Sequence, residues 1–347
     1  MEQQTDNFEL LDLMIRPGFC VKENILVRCN RAARGLFLNE GDDVLPLLLT
    51  GHDEYKAFRS GCLYLAMRIH GQEFGASVTR LGSEDVFILD PESDRAELQI
   101  MALAARELRE PMANVMISLE KMLQNSTDPD SARINQGLFQ MMRIISNMSD
   151  AGKYAIQSRQ ETRDITRLMA SIFEKAKSFL TQAGIHLEYT GCPEAIYCLA
   201  DEEQLERAVL NILSNSLKFL PEGGKIQAEF TRCGRNMRLS IADSGSGIAQ
   251  DILSNVFRQY QRQPVIEDRR HGLGLGMVLV RSAAANHGGT VLIDQPEGKG
   301  TRVTMTLAIR QNADTALRSP ILRVDYAGER DHALLEFSDS LPSHLYQ

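Results

Sequence analysis

Asn211-Ile-Leu-Ser-Asn215-Ser-Leu-Lys218-Phe219 has the period of a helix with two unlike faces. Val209, Ile212 and Leu213 form an apolar stripe, while Asn211, Asn215 and Lys218 fall at i, i+4 and i+7 and share another face. Two carboxamides and an ammonium in one row suit a hydrated divalent cation and the phosphates it bridges, because Mg2+ takes oxygen ligands and keeps several waters. An ordinary solvated helix face has the same spacing, so the row gains meaning only from the motifs downstream of it.

The first of these is Asp243-Ser-Gly245-Ser-Gly247-Ile248, at the end of an alternating, strand-like run. A carboxylate there can accept from an exocyclic amino group, which favours adenine over guanine, and the two glycines let backbone approach a flat ring. Next comes Gly272-Leu-Gly274-Leu-Gly276 leading into a helix, where free N–H groups at the helix N-terminus can hold phosphate oxygens. Each motif alone is a common turn. In succession, they form an asparagine row, a strand with Asp-x-Gly-x-Gly, Phe257 and Tyr260, a polar stretch over 258–270, the glycine-rich turn, His287-Gly-Gly and Gly298-Lys-Gly-Thr301. This order, over about residues 160–310, resembles the ATP-binding domain of sensor histidine kinases, the Bergerat-type (GHKL) α/β sandwich shared with gyrase, Hsp90 and MutL.

The resemblance implies a role for each matching position. Asn215 would be the Mg2+ ligand, Asn211 and Lys218 would contact phosphates, and Asp243 would bind the adenine of ATP. Gly245, Gly247, Gly272, Gly274 and Gly276 would form the pocket and lid hinge, with Tyr260 and Arg262 on the lid. Arg270-His271 stand where the family has Gly-Thr, a departure within that lid. Superfamily members that hydrolyse ATP place a Glu where this chain has Asn211, and an amide cannot serve as general base. ATP is therefore expected to be kept for transfer rather than spent on water.

Upstream, Leu98, Met101, Ala105, Leu108, Met112, Val115, Leu119 and Met122 step by three and four, and so do Ile134, Leu138, Met141, Ile145, Met148, Gly152 and Ala155. Two such seams joined by a short polar turn predict an antiparallel hairpin that pairs with a second copy in a four-helix homodimer bundle. Within the first, Arg106-Glu107-Leu108-Arg109-Glu110-Pro111 resembles the family's His-Glu-Leu-Arg-Thr-Pro box, whose His accepts the γ-phosphate. Arg106 replaces that His. A guanidinium with a pKa above about 12 has no free lone pair and is a poor nucleophile. Glu107, the family's acid–base partner, is retained as a catalytic candidate without an acceptor beside it, and Glu110 stands where the phosphatase reaction needs Thr, Asn or Gln. None of His52, His70, His186, His271, His287, His332 and His344 has an acceptor context. Pro111 predicts a kink.

Residues 1–92 alternate short strands and helices, with a Lys-Glu-Asn turn between two strands and Asn30 capping a helix, an order that resembles a PAS sensor domain. Residues 312–347 read as a strand followed by a short helix. At 347 residues, the chain is long enough for two or three domains of about 150 residues. The net charge of −8 argues against a general nucleic-acid partner, and any bound anion must be gripped locally. Six scattered cysteines form no metal or disulfide pattern. No apolar run is long enough to insert in a membrane, and the first residues are not signal-like, which predicts a cytoplasmic protein.

The expected architecture is therefore multidomain α+β: a PAS-like unit (1–92), a dimerisation hairpin (93–160), an ATP-binding domain (161–311) and a tail (312–347). The resemblance implies a homodimer that works with a response regulator or another histidine kinase. Two alternatives stay open: an ATP-dependent serine kinase of the anti-sigma-factor type, and a nucleotide-gated interaction module without chemistry.

Overall fold

The computed structural model describes residues 11, 14–90, 92–123, 129–154, 159–248, 274–296, 299–310 and 331–346. β1 (Gly18–Lys22) and β2 (Ile25–Cys29) form a hairpin whose turn places Glu23 and Asn24 at positive φ. Asn30 then caps α1 (Arg31–Arg34), its Oδ1 accepting from the Ala33 N–H at 2.9 Å. After α2 (His52–Ala57) come β3 (Cys62–Ile69), β4 (Gln72–Leu81) and β5 (Glu84–Leu89), all antiparallel. Their side chains alternate, and Phe19, Leu26, Phe58, Leu65, Met67 and Phe87 fill a core of their own.

Two long helices come next, α3 (Glu92–Leu123) and α4 (Pro129–Tyr154). They run antiparallel: Leu98 packs with Ala151 and Tyr154, and Arg109 Nη2 donates to Ser149 Oγ at 3.0 Å. α3 continues through Pro111. The expected apolar seam splits in two. Leu98 and Ala105 of α3 and Leu138 and Ile145 of α4 are buried, as is Met116, which the expected seam does not include, whereas Leu108, Val115, Met122, Ile134 and Met141 remain at least 44% exposed. A single hairpin covers only one flank of each stripe, so the other is left bare. Ala155, the last seam position, lies outside the described residues.

The remaining elements build an α/β layer. β6 (Glu161–Asp164) pairs with β8 (Tyr197–Ala200), and between them lie α5 (Ile165–Gln182), capped by Asp164, and β7 (His186–Thr190). Asp201 caps α6 (Glu202–Phe219), accepting from the Gln204 N–H at 3.2 Å. β9 (Lys225–Cys233) and β10 (Asn236–Asp243) make the expected hairpin, and α7 (Gly276–Asn286), β11 (Val291–Asp294) and β12 (Arg302–Ala308) complete the unit. Phe173, Leu205, Ile212, Leu213, Phe230, Leu239 and Val280 form its main core. α8 (His332–Glu336) and a 3-10 turn at Ser343–Tyr346 pack on this unit and its neighbours: α8 touches α4, α5 and α6, and the turn touches α4. The short helix expected in the tail is there; the strand expected near 319–326 lies outside the described residues.

One connection has no counterpart in the sequence pattern. β3 and β11 pair in register, Tyr64 opposite Val291 and Cys62 opposite Ile293, which fuses the two sheets into one of order β2-β1-β5-β4-β3-β11-β12-β10-β9-β7. Arg281 of α7 reaches across to Asp90 at 2.6 Å, and Tyr64 donates to the same carboxylate at 2.8 Å. Among the described residues, no helix is long and apolar enough to cross a membrane.

Candidate nucleotide site

α6 is held by burial of most of its surface, and its polar row sits where α7, β10 and the tail converge. Asn211 is 3% exposed; its Nδ2 donates to the Arg207 carbonyl at 2.8 Å, and its Oδ1 lies beside Gly276. A Cβ on Gly276 would come within 2.6 Å of that oxygen, so a larger residue there would have to push the Asn211 carboxamide aside. Asn215 is half-buried one turn further on. The Lys218 side chain is 10% exposed, with Nζ 3.6 Å from Asp339 Oδ2. Burial and the neighbouring Arg143 guanidinium hold this ammonium below the ordinary lysine range, and Asp339 partly offsets them.

Asp243 ends β10 with its carboxylate fixed from three sides. Oδ1 accepts from the Gly245 N–H at 2.9 Å and the Thr301 N–H at 3.2 Å, and Oδ2 accepts from Ser216 Oγ at 3.1 Å. Ser216 belongs to α6, so this last bond ties the asparagine-row helix to the Asp-x-Gly-x-Gly turn. Gly247 (φ 81°) and Gly274 (φ 72°) adopt the left-handed conformation that glycine allows, and Gly245 is buried against Asp243. Asn211, Asp243, Gly245 and Gly276 are thus gathered around α6. Tyr260, Arg262 and Gly272 lie outside the described residues, as does the rest of the expected lid.

Two contributors carry no motif of their own in the sequence. Ser216 is hidden by its place between Asn215 and Lys218, and Thr301 acts through its backbone, which no side-chain pattern records. His287 plays a structural part. Its Nε2 accepts from the Asp201 N–H at 2.9 Å, and its Nδ1 is 2.7 Å from the Ala283 carbonyl, fixing the start of α6 to the end of α7. Burial lowers its pKa, in keeping with a neutral ring. On α3, Arg106 and Glu107 face solvent, 72% exposed each and 3.7 Å apart.

The profile of the histidine kinase-, DNA gyrase B- and HSP90-like ATPases matches residues 200–311. Histidine protein kinase DivJ of Caulobacter vibrioides is 28% identical over 236 residues, which is 62% of this chain and 40% of DivJ. Sensor histidine kinase WalK of Bacillus subtilis is 26% identical over 235 residues, 64% of this chain and 38% of WalK. The chain is similar to the sensor histidine kinases. Residues 200–311 are a GHKL-type ATPase domain, and the chain spans less than half the length of either relative. The crystal structure of full-length ShkA in complex with AMPPNP shares the fold over 62% of this chain and 46% of ShkA, with a TM-score of 0.51 and 21% identity.

Proposed function

We propose that this chain is a cytoplasmic, dimeric signalling protein that binds Mg-ATP in the α6 site and does not phosphorylate itself at the position the family uses. The observation that carries the nucleotide reading is Asp243, whose carboxylate is held rigidly at the end of β10 and bonded through Ser216 to the helix bearing Asn211, Asn215 and Lys218. Adenine would donate its amino group to Asp243, and Lys218 and the α7 N-terminus would face the phosphates. The donor set fits Mg2+: Asn215 offers a neutral, half-buried oxygen on the same face as the ammonium. Mg2+, when bound, would neutralise phosphate charge.

Residues 1–92 act as a PAS-like sensor in this reading, supported by the strand order β2-β1-β5-β4-β3 with its helices between β2 and β3. The exposed Leu108, Val115 and Met122, seven residues apart, support a second copy across the 93–160 hairpin. Residues 161–311 would be the ATP-binding domain and 312–347 a regulatory tail. Arg106 projects into solvent as an acceptor would but lacks a nucleophilic lone pair, so the protein would act as a scaffold or on another chain, a response regulator or a second histidine kinase. Glu107 would then have no proton to move. Incubation with γ-labelled ATP tests this: no acid-labile label is expected on the protein alone, and label at histidine would overturn the acceptor reading. Acid-stable label on an added partner would favour a serine kinase instead.

A further inference from the structure

The C-terminal segment brings an acidic side chain to the cation that the nucleotide reading reserves for phosphate. Asp339 is 8% exposed on its side chain and lies between Lys218 of α6 and Arg143 of α4, ion-paired to both. The segment is firmly seated. Phe337 and Ser338 are fully buried, Gln136 donates to the Ser338 and Leu341 carbonyls at 3.0 and 2.8 Å, and Gln140 donates to the Ser338 carbonyl at 3.1 Å. Glu336 pairs with Arg207 of α6 at 2.9 Å, and its carbonyl accepts from Ser214 at 3.0 Å. The tail therefore bridges the second hairpin helix and the asparagine-row helix, and these polar contacts fall on those two elements.

The geometry points to Asp339 as a built-in competitor for the phosphate subsite: nucleotide phosphates must displace its carboxylate from Lys218, and in doing so they loosen the tail that ties α6 to α4. This rests on the nucleotide reading of α6. Two anions cannot share one buried ammonium without mutual repulsion, and a carboxylate is the side chain that best imitates a phosphate oxygen pair. Asp339 keeps Lys218 and Arg143 from being two buried, unpaired cations when no nucleotide is present. Linkage makes the competition reciprocal, so whatever factor the tail removes from nucleotide affinity, nucleotide removes from tail docking. The Ser338 and Ser340 hydroxyls are buried without a hydrogen-bond partner among the described residues, which leaves this turn incompletely satisfied in its docked position.

Calorimetric binding of Mg-AMPPNP to the full chain, to Asp339→Asn and to Asp243→Ala tests the competition, with hydrogen exchange of residues 331–346 followed in the wild type. Asp339→Asn is expected to bind about five- to tenfold more tightly, since removing the competitor raises the binding-competent fraction. Saturating Mg-AMPPNP is expected to speed exchange of the wild-type tail by a similar factor, a readout that does not depend on the variant's folding. Unchanged or weaker affinity in Asp339→Asn, or a tail whose exchange ignores nucleotide, would overturn the competition. If Asp243→Ala alone loses binding in that case, the nucleotide site stands without it; if no protein binds, both fall.

Discussion

Replacing Arg207 with Met tests how the tail, the hairpin and the ATP domain are held together. The guanidinium is 5% exposed and lies 3.2 Å from Asp150 of α4 and 2.9 Å from Glu336 of α8, whose side chains are 3% and 1% exposed. It also donates to Asn147 at 2.5 Å. Asp150 Oδ1 and Glu336 Oε1 have no hydrogen-bond partner among the described residues, so each carboxylate depends on this cation. Met conserves most of the volume, so the cavity contribution is small, and the cost arises from two buried carboxylates left without their cation. Breaking one partner out of a buried pair costs about 3–5 kcal/mol. At about 2–4 °C per kcal/mol for a unit of this size, the melting temperature should fall by roughly 6–20 °C. Burial raises the Asp150 pKa and Arg207 opposes that shift, so the variant takes up the proton more readily than the wild type and the deficit should shrink as pH falls toward the ordinary carboxylate range. Scanning calorimetry of wild type, Arg207→Met and the exposed-site control Arg167→Met measures this directly; the control should stay within about 0.5 kcal/mol. A loss under about 1 kcal/mol in Arg207→Met would refute the network as the clamp.

His287 has a pKa depressed by burial below its unfolded value near 6.5, so the unfolded chain binds a proton that the native chain refuses. Its stabilisation is complete above that value and is lost as pH falls below it; the slope of melting temperature between about pH 7 and 5 should be shallower in His287→Asn, and equal slopes would count against the buried neutral ring. Leu108→Glu combined with Val115→Glu should abolish the proposed dimer in light scattering, because two charges would enter the apolar flank the hairpin leaves bare; a wild type that is monomeric, or a variant that still dimerises, would contradict that interface. Arg106→His restores the acceptor side chain of the kinases this chain resembles at an exposed position and should permit acid-labile labelling from γ-labelled ATP; a variant still unlabelled would contradict Arg106 as the sole block.

The elements that were legible in the sequence share a local cause. α6 could be read because its stripe, its Asp201 cap and its asparagine row all repeat with one helical period, and the β9–β10 hairpin because alternation ends in Asp243 and glycine. The long helices were visible as heptads, but the division of their seam was not. Which of Ala105 and Leu108 is covered depends on the relative rotation of two helices, a tertiary property that spacing alone leaves free. β6, Glu161-Thr-Arg-Asp164, is poor in β-prone side chains and is a strand only because β8 lies beside it. The β3–β11 junction and the Asp339–Lys218 pair join residues far apart in sequence, and neither Leu63 nor Asp339 carries a local mark of its distant partner. Within the site, Asp243 was legible by its motif, whereas Ser216 and the Thr301 N–H were found only by geometry.

Asp243 carries the nucleotide assignment. Isothermal titration of the full chain with Mg-ATP, beside Asp243→Ala shown to be folded by circular dichroism, should give saturable binding for the wild type and none detectable for the variant. Equal affinity in the two proteins would contradict the assignment of this pocket to the nucleotide.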